Sequence, residues 1–455
     1  MKKNKIIFLT AVSLFSAIGF GQSKKWTLEE SVTYAIQNNI SIKQSAFDKE
    51  LAELNKKDAV GRFLPSVNAN ASHSWNIGLN QNITTGLLEN QTTQFTSAGI
   101  GAGIDIYKGL QNQNQLRKAN LSTIASQYQL TKMQEDVSLN VVNAYLQILF
   151  NKENLKVQNE QFAFDTKQMQ RTTELVEAGM LPKGDLLDLK ATLATDSQRI
   201  VSAENALLIS KMSLAQLLQL KEYEEFDIAD SEIEPQVSAV LLENPKTIFN
   251  KAKETRTELK LAQTNLEIAQ KDIQIAKGAY QPTLQGFYNF NTRASDSDRI
   301  IFSNGQPVGI TGPDSLFSQF SDNKGHSFGA QLTIPIFNGF ATRNNVFRSK
   351  VSLEKSKLAL EQQETELERT IYTAFTDTKG AQKSFEAANT TLEARLNAVN
   401  YAKERYEVGL MNVFDYNQTQ TLFVNAQSEV LRTKYDYIFR TKILEFYFGI
   451  PIIKQ

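Results

Sequence analysis

The chain has 455 residues, 49 basic and 49 acidic side chains, two histidines and no cysteine. At roughly 100–200 residues per domain this is room for about three domains, and 41% hydrophobic residues can bury a sizeable core. The missing cysteines exclude disulfides, thiolate metal sites, cysteine nucleophiles and a lipid-modified N-terminal cysteine, and the even charge gives no reason to expect nucleic acid as a partner.

Lys2, Lys3 and Lys5 precede an apolar run from Ile6 to Phe20 that closes on Gly19 and Gly21. This is the layout of an export signal over 1–21, too short to span a bilayer comfortably. No later stretch reaches the roughly 18 uninterrupted apolar residues of a membrane helix. The exported chain is therefore soluble, or it meets a membrane through strands. One helix is predicted over Leu28–Phe63, rich in helix formers and ended by Pro65.

A hairpin over 65–107 follows. Val67, Ala69, Ala71, His73, Trp75, Ile77 and Leu79 alternate with polar residues, and Ala98, Ile100, Ala102, Ile104 and Ile106 alternate with Ser, Gly and Asp. Strands near 13 residues long, with one apolar face and one of Ser, Asn, Gly and Thr, fit a lipid face and a wet lumen; a tilted membrane strand needs about 9–11 residues. A soluble sandwich also alternates. The glycines Gly99, Gly101 and Gly103 lie inside this alternation and read as barrel interior, not as a dinucleotide loop. His73 and His326 read as rim or interface residues rather than metal ligands.

Leu110–Ala178 is a proline-free helical stretch on the order of 100 Å long. Val141, Ile148, Leu155, Phe162, Met169 and Val176 repeat every seven residues, the period of coiled-coil packing. The neighbouring column Asn151, Gln158, Asp165 and Thr172 is polar, which predicts a narrow apolar seam in a wall wetted on two sides. Gly179 marks a turn and Gly184–Gln219 a return helix, followed by an acidic linker over 221–245.

The second half repeats this order. Gly61-Arg-Phe-Leu-Pro65 returns as Gly278-Ala-Tyr-Gln-Pro282, Ile106-Tyr-Lys-Gly109 as Ile336-Phe-Asn-Gly339, and Glu177-Ala-Gly179 as Glu407-Val-Gly409. Two copies, 22–220 and 246–455, are predicted. The second has a helix over Thr247–Tyr280, a hairpin over 282–337 whose pattern Phe287 breaks, a long helix Ala341–Val408, a turn at Gly409 and a return helix Phe414–Phe448. Its extra residues, with Asp296, Asp298 and Asp314, lack calcium-loop spacing and read as a solvated loop. Four strands cannot span a bilayer with open edges. Two chains would supply eight strands and three would supply twelve, and only the wider barrel leaves an open lumen. The fold class expected is mainly α with membrane β: a long antiparallel coiled-coil tunnel joined to a shared barrel, built on an internal two-fold repeat.

Trp26-Thr-Leu-Glu-Glu-Ser-Val-Thr-Tyr-Ala35 with Asn38-Asn39, Phe63-Leu-Pro-Ser-Val67, Leu332-Thr-Ile-Pro-Ile-Phe-Asn-Gly339 and Tyr406-Glu-Val-Gly-Leu-Met-Asn-Val-Phe-Asp415 resemble, in order and spacing, the TolC-like outer-membrane efflux proteins. The resemblance covers nearly all the exported chain. It implies a homotrimer with a twelve-stranded outer-membrane barrel in lipid and a helical tunnel extending into the periplasm, the exit duct of a tripartite efflux pump or a type I secretion system. The implied partners are a periplasmic adaptor (membrane-fusion) protein and an inner-membrane transporter of RND or ABC type. Gly179, Met180 and Leu181, with Gly409, Leu410 and Met411, match tip turns that an adaptor engages. Asp415 matches a ring aspartate at the pore constriction, and Asp185 and Tyr406 match partners of the network that closes the tip. The sequence departs from the family at Gln418 and Met411, where a second ring aspartate and a gate arginine would stand. Asp415 also suits a plain helix-capping role.

Rival readings are an exported trimeric coiled-coil scaffold or adhesin without channel activity, and a receptor-type barrel with a helical stalk. An enzyme is disfavoured, since no acid, base and nucleophile constellation, catalytic residue, cofactor motif or metal motif is recognisable.

Overall fold

The structure is a computed structural model that describes residues 25–451 except 82–86, 222, 224–225, 231–232 and 237; the export signal predicted over 1–21 lies outside the described residues. In chain order the elements are β1 (Lys25–Trp26), α1 (Leu28–Asn38), α2 (Ile40–Gly61), β2 (Ser66–Gln81), β3 (Leu88–Lys108), α3 (Gln111–Glu177), α4 (Lys183–Leu218), β4 (Asp227–Ile228), α5 (Pro245–Thr255), α6 (Thr257–Gly278), β5 (Thr283–Ser295), β6 (Arg299–Ser303), β7 (Gln306–Thr311), α7 (Leu316–Asp322), β8 (Gly325–Thr333), α8 (Ala341–Glu407) and α9 (Val413–Phe448). The long helices α3 and α8 both have 67 residues, and the return helices α4 and α9 both have 36. Among the described residues no helix is long and apolar enough to cross a membrane.

The chain forms two compact units. The first draws its described residues from Met1–Phe47, Gln127–Leu261 and Glu361–Gln455. Its main core packs Val32 and Ala35 of α1 against Val141, Tyr145 and Ile148 of α3 and Leu214 and Leu218 of α4. The supposed linker is part of this core. Its β4 pairs in parallel with β1, and Phe226 and Ile228 are buried beside Trp26. The Tyr145 hydroxyl, wholly buried, lies 3.3 Å from the carbonyl oxygens of both Trp26 and Ala229. Outside, Asp227 meets Lys152 and Lys211, and Asp230 meets Lys152 and Lys25.

Each predicted first helix is broken once, a correction to the single helices expected over Leu28–Phe63 and Thr247–Tyr280. At Asn39 the backbone is extended, its side chain accepts from Ser41 N at 2.9 Å, and it donates to the Leu217 carbonyl at 3.0 Å. At Arg256 the backbone is again extended, and the buried guanidinium bonds Glu258 and Glu135 beneath the Phe446 ring. In both places a buried side chain binds a tertiary partner, which offsets the lost helical hydrogen bonds.

The second unit is Asp48–Ser126 with Ala262–Leu360. It holds a four-stranded antiparallel sheet in the order β2-β3-β5-β8, with β2 and β8 at its two edges. On the polar face Ser72 and Ser97 hydroxyls meet at 2.8 Å, and a Cβ on Gly99 would stand 2.9 Å from Asn291 Oδ1. The glycine column of β3 thus makes room for the amide side chains of its neighbours. Phe287, the residue out of pattern, covers Gly329, where an added Cβ would come within 3.1 Å of the ring. The last strand stops at Thr333 and does not reach Ile334 and Ile336 as the alternation suggested, because Pro335 lacks the N–H that a ladder needs. The residues read as a solvated loop include a hairpin, β6–β7, and the short helix α7, which Gln319 ties to Ser295.

Candidate functional site

The residues singled out in the sequence gather at the ends of α3–α4 and α8–α9, all in the first unit. Both turns are built alike. Gly179 and Gly409 adopt φ of +73° and +77°, a conformation that favours glycine. Each follows the same hydrogen-bond scheme: Gly179 N to Val176 O and Met180 N to Leu175 O, then Gly409 N to Tyr406 O and Leu410 N to Arg405 O. This pair of bonds is the Schellman arrangement that satisfies the last carbonyls of a helix. Met180 and Leu410 are about 70% exposed. Leu181 and Met411 are half-buried beside them.

The return helices start differently. Pro182 occupies the N-cap of α4 and makes no side-chain cap bond, whereas Asn412 caps α9. Asn412 Oδ1 accepts from Asp415 N at 2.8 Å, and its amide donates to Asp415 Oδ2 at 3.0 Å. Asp185 and Asp415 therefore stand in the first helical turn and neither is the cap itself, which corrects the capping role expected for Asp415. Their negative charges suit the positive end of each helix dipole. Tyr406 stacks on Tyr416, centroids 5.0 Å apart and planes 3° from parallel, so α8 and α9 are tied near their shared end. The structure brings Tyr406 to Tyr416 and Asp415 to Asn412. Among the described residues Tyr406 makes no hydrogen bond to Asp415 or Asp185.

Sequence reasoning missed the interior of the α3–α4 hairpin. Asn151, Asp165 and Thr172, expected to be wet, are buried, while Phe162, Met169 and Val176 of the apolar column are only half-buried. Facing them, Leu189, Asp196, Ala203 and Ser210 of α4 recur every seven residues and are all buried. Asn151 donates to the Ala206 carbonyl at 3.0 Å. The seven-residue spacing was legible on α3, where Val141 and Ile148 of the apolar column are buried as expected, but nearer the turn the polar column is the more deeply buried one. Elsewhere, His73 meets Thr96 and Trp75, and His326 meets Tyr288 and Phe290; the two histidines lie on different strands. No group of three metal-ligating side chains occurs among the described residues.

The model of the outer membrane efflux protein family matches residues 32–219 and 248–448, most of the chain. The chain belongs to the outer membrane efflux protein family. It is 22% identical to the outer membrane protein TolC of Vibrio cholerae over 449 residues, which cover 96% of this chain and 93% of that one. To TolC of Escherichia coli K12 it is 21% identical over 412 residues, 88% of this chain and 78% of the relative. Among solved structures it is similar in fold to the Vibrio cholerae outer membrane protein VceC, with TM-score 0.76, 14% identity and coverage of 93% and 96%. Membership of the outer membrane efflux protein family places the chain in the outer membrane and in efflux.

Proposed function

We propose that three copies of this chain close one twelve-stranded barrel and serve as the passive exit duct of a tripartite efflux pump or type I secretion system. The observation that carries the reading is the sheet β2-β3-β5-β8, whose outer strands β2 and β8 each pair with one neighbouring strand only among the described residues. In a bilayer such edges leave backbone groups without partners, so each β2 must meet the β8 of another copy. Eight strands would give a barrel filled by side chains; twelve leave a lumen. The chain's two-copy organisation, 22–220 and 246–455, places a hairpin, a long helix and a return helix in each half.

The exposed Met180 and Leu410, with Gly179, Leu181, Gly409 and Met411, form the surface for a periplasmic adaptor, which couples the duct to an inner-membrane transporter. Three Asp415 carboxylates around the pore would attract cations and repel anions. The chain hydrolyses nothing in this scheme. The test is to extract the protein in detergent, determine the protein mass of the particle and record single-channel current from the same sample. A three-chain particle with discrete conductance is expected. A water-soluble particle without current would replace the duct by an exported scaffold.

A further inference from the structure

Asp165 of α3 and Asp196 of α4 each lie 12 or 13 residues from the turn that joins their helices, so they face one another across the hairpin. Both are buried, with 1% and 3% of their surface exposed. Gln161 donates to Asp165 Oδ2 at 2.6 Å, and Arg199 approaches Asp196 Oδ1 at 3.5 Å. Asp165 Oδ1 and Asp196 Oδ2 are also buried, and neither accepts from a donor among the described residues. Arg199 is 38% exposed, and at that distance it is a weak counter-ion. Two buried carboxylates with one weak cation are not stable side by side; one proton shared between them supplies the missing donor and removes the repulsion.

We propose that Asp165 and Asp196 are a proton-operated latch: a proton held between the two carboxyls keeps α3 packed on α4, and its loss loosens the hairpin toward the 178–182 turn.

Each packed element bears on the pair. From α3 come the amides of Gln161 and Gln168, and from α4 the guanidinium of Arg199. From α9 come the Tyr416 phenol, bonded to Gln420, and Asn417, whose buried Oδ1 accepts from no described donor. Tyr406 and Glu407 of α8 stand behind Tyr416 and act on it electrostatically. No cation in this set is buried beside the carboxyls. Burial, reinforced by the Asp196 carboxyl, pushes Asp165 up to about 7. The proton has a way out, because Asp196 and Arg199 line a groove of about 570 Å³ shared with Asn417 and Gln418. The second hairpin lacks the device: the matching positions of α8 and α9 hold Arg395 and Ala426.

A carboxyl whose value is raised by folding favours the packed hairpin in its neutral form. The latch is therefore firmest in acid, weakens as pH rises from the ordinary carboxylate range toward about 7, and changes no further above that. Its consequence for conduction rests on the proposed function, whereas the readouts below need no conduction.

Amide hydrogen exchange of the full chain in detergent tests the latch between pH 5 and 8, after correction for the intrinsic exchange rate. The opening equilibrium of amides near Asp165 and Asp196 should rise by up to roughly tenfold per pH unit below pH 7 and then level off. Asp165→Asn and Asp196→Asn should each flatten that slope, and α8–α9 amides should show none. A flat wild-type profile, or an unchanged slope in both variants, would overturn the latch. A second readout needs no variant: wild-type protein should show an infrared band of protonated carboxyl that titrates out near neutrality. Its absence at pH 6 would equally overturn the proposal.

Discussion

Gly109 and Gly278 cross so closely that a Cβ on Gly109 would lie 2.1 Å from the Gly278 carbonyl oxygen. Any side chain at either position forces the two backbones apart. The matching glycines of the other pair, Gly61 and Gly339, have nothing within 4 Å of an added Cβ, although Gly339 has the same left-handed φ, +62° against +58°. They sit next to the outer strands of the sheet, at the end of α2 before β2 and beyond β8. If another copy meets those strands, Gly61 meets its Gly339 as Gly278 meets Gly109. Gly61→Leu is therefore expected to leave the helical circular dichroism unchanged while cutting the yield of detergent-resistant trimer at least tenfold. Normal assembly of that variant would separate the two crossings.

The tip turns differ from their surroundings in one enforceable way. Gly409 has open space around it, so a larger side chain meets no steric block; what it meets is the φ of +77°. A β-branched residue there costs about 1–3 kcal/mol. Gly409→Val should impair export in cells while the protein still reaches the outer membrane, and full export activity would remove the turn from the functional site.

Asp415 is held by Asn412 at 3.0 Å, which fixes where its charge points. Asp415→Asn keeps the size and removes the charge, so cation preference should fall, read as a reversal potential closer to zero in a salt gradient. Asn412→Ala should cost about 1 kcal/mol through the lost cap and blunt the same preference by a smaller amount. Unchanged reversal potentials in Asp415→Asn would leave the residue a helix-end charge only.

The Tyr406–Tyr416 stack has no counterpart in the first hairpin, where Val176 and Leu186 stand at the matching positions. Aromatic pairs contribute about 0.5–1.5 kcal/mol beyond their burial. Tyr416→Leu should therefore loosen α8 from α9 and raise the conductance of the isolated channel severalfold. Tyr406→Phe, which keeps the ring, should not.

The β6–β7 hairpin turns at Asn304 and Gly305, both with positive φ, and an added Cβ at Gly305 would meet nothing within 4 Å. Insertion of several residues there should leave assembly and conductance unchanged, since the entropic cost of lengthening a loop grows slowly. Substitution of Asp296 should not be neutral, because its carboxylate accepts from Gln94 N at 2.7 Å and joins the hairpin's root to β3. Trimer yield from the two sets of variants separates these expectations.

By itself the sequence determined what neighbours along the chain dictate. Strand alternation in β2 and β3, the seven-residue spacing of α3 and the glycine turns at 179 and 409 were all legible, since each depends on residues a few positions apart. Only the tertiary structure decided which spaced column is buried. Asp165 and Thr172 look like solvent-facing residues until Asp196 and Leu189 of α4 are laid against them. Only the fold places Leu217 before Asn39, and Glu135 before Arg256, and so breaks two helices that local propensity would continue. The acidic linker became strand β4 for the same reason: Trp26 and Lys152, distant in sequence, supply the backbone pairing and the countercharge. Propensity and period are properties of a segment, whereas burial and charge pairing belong to two segments brought together.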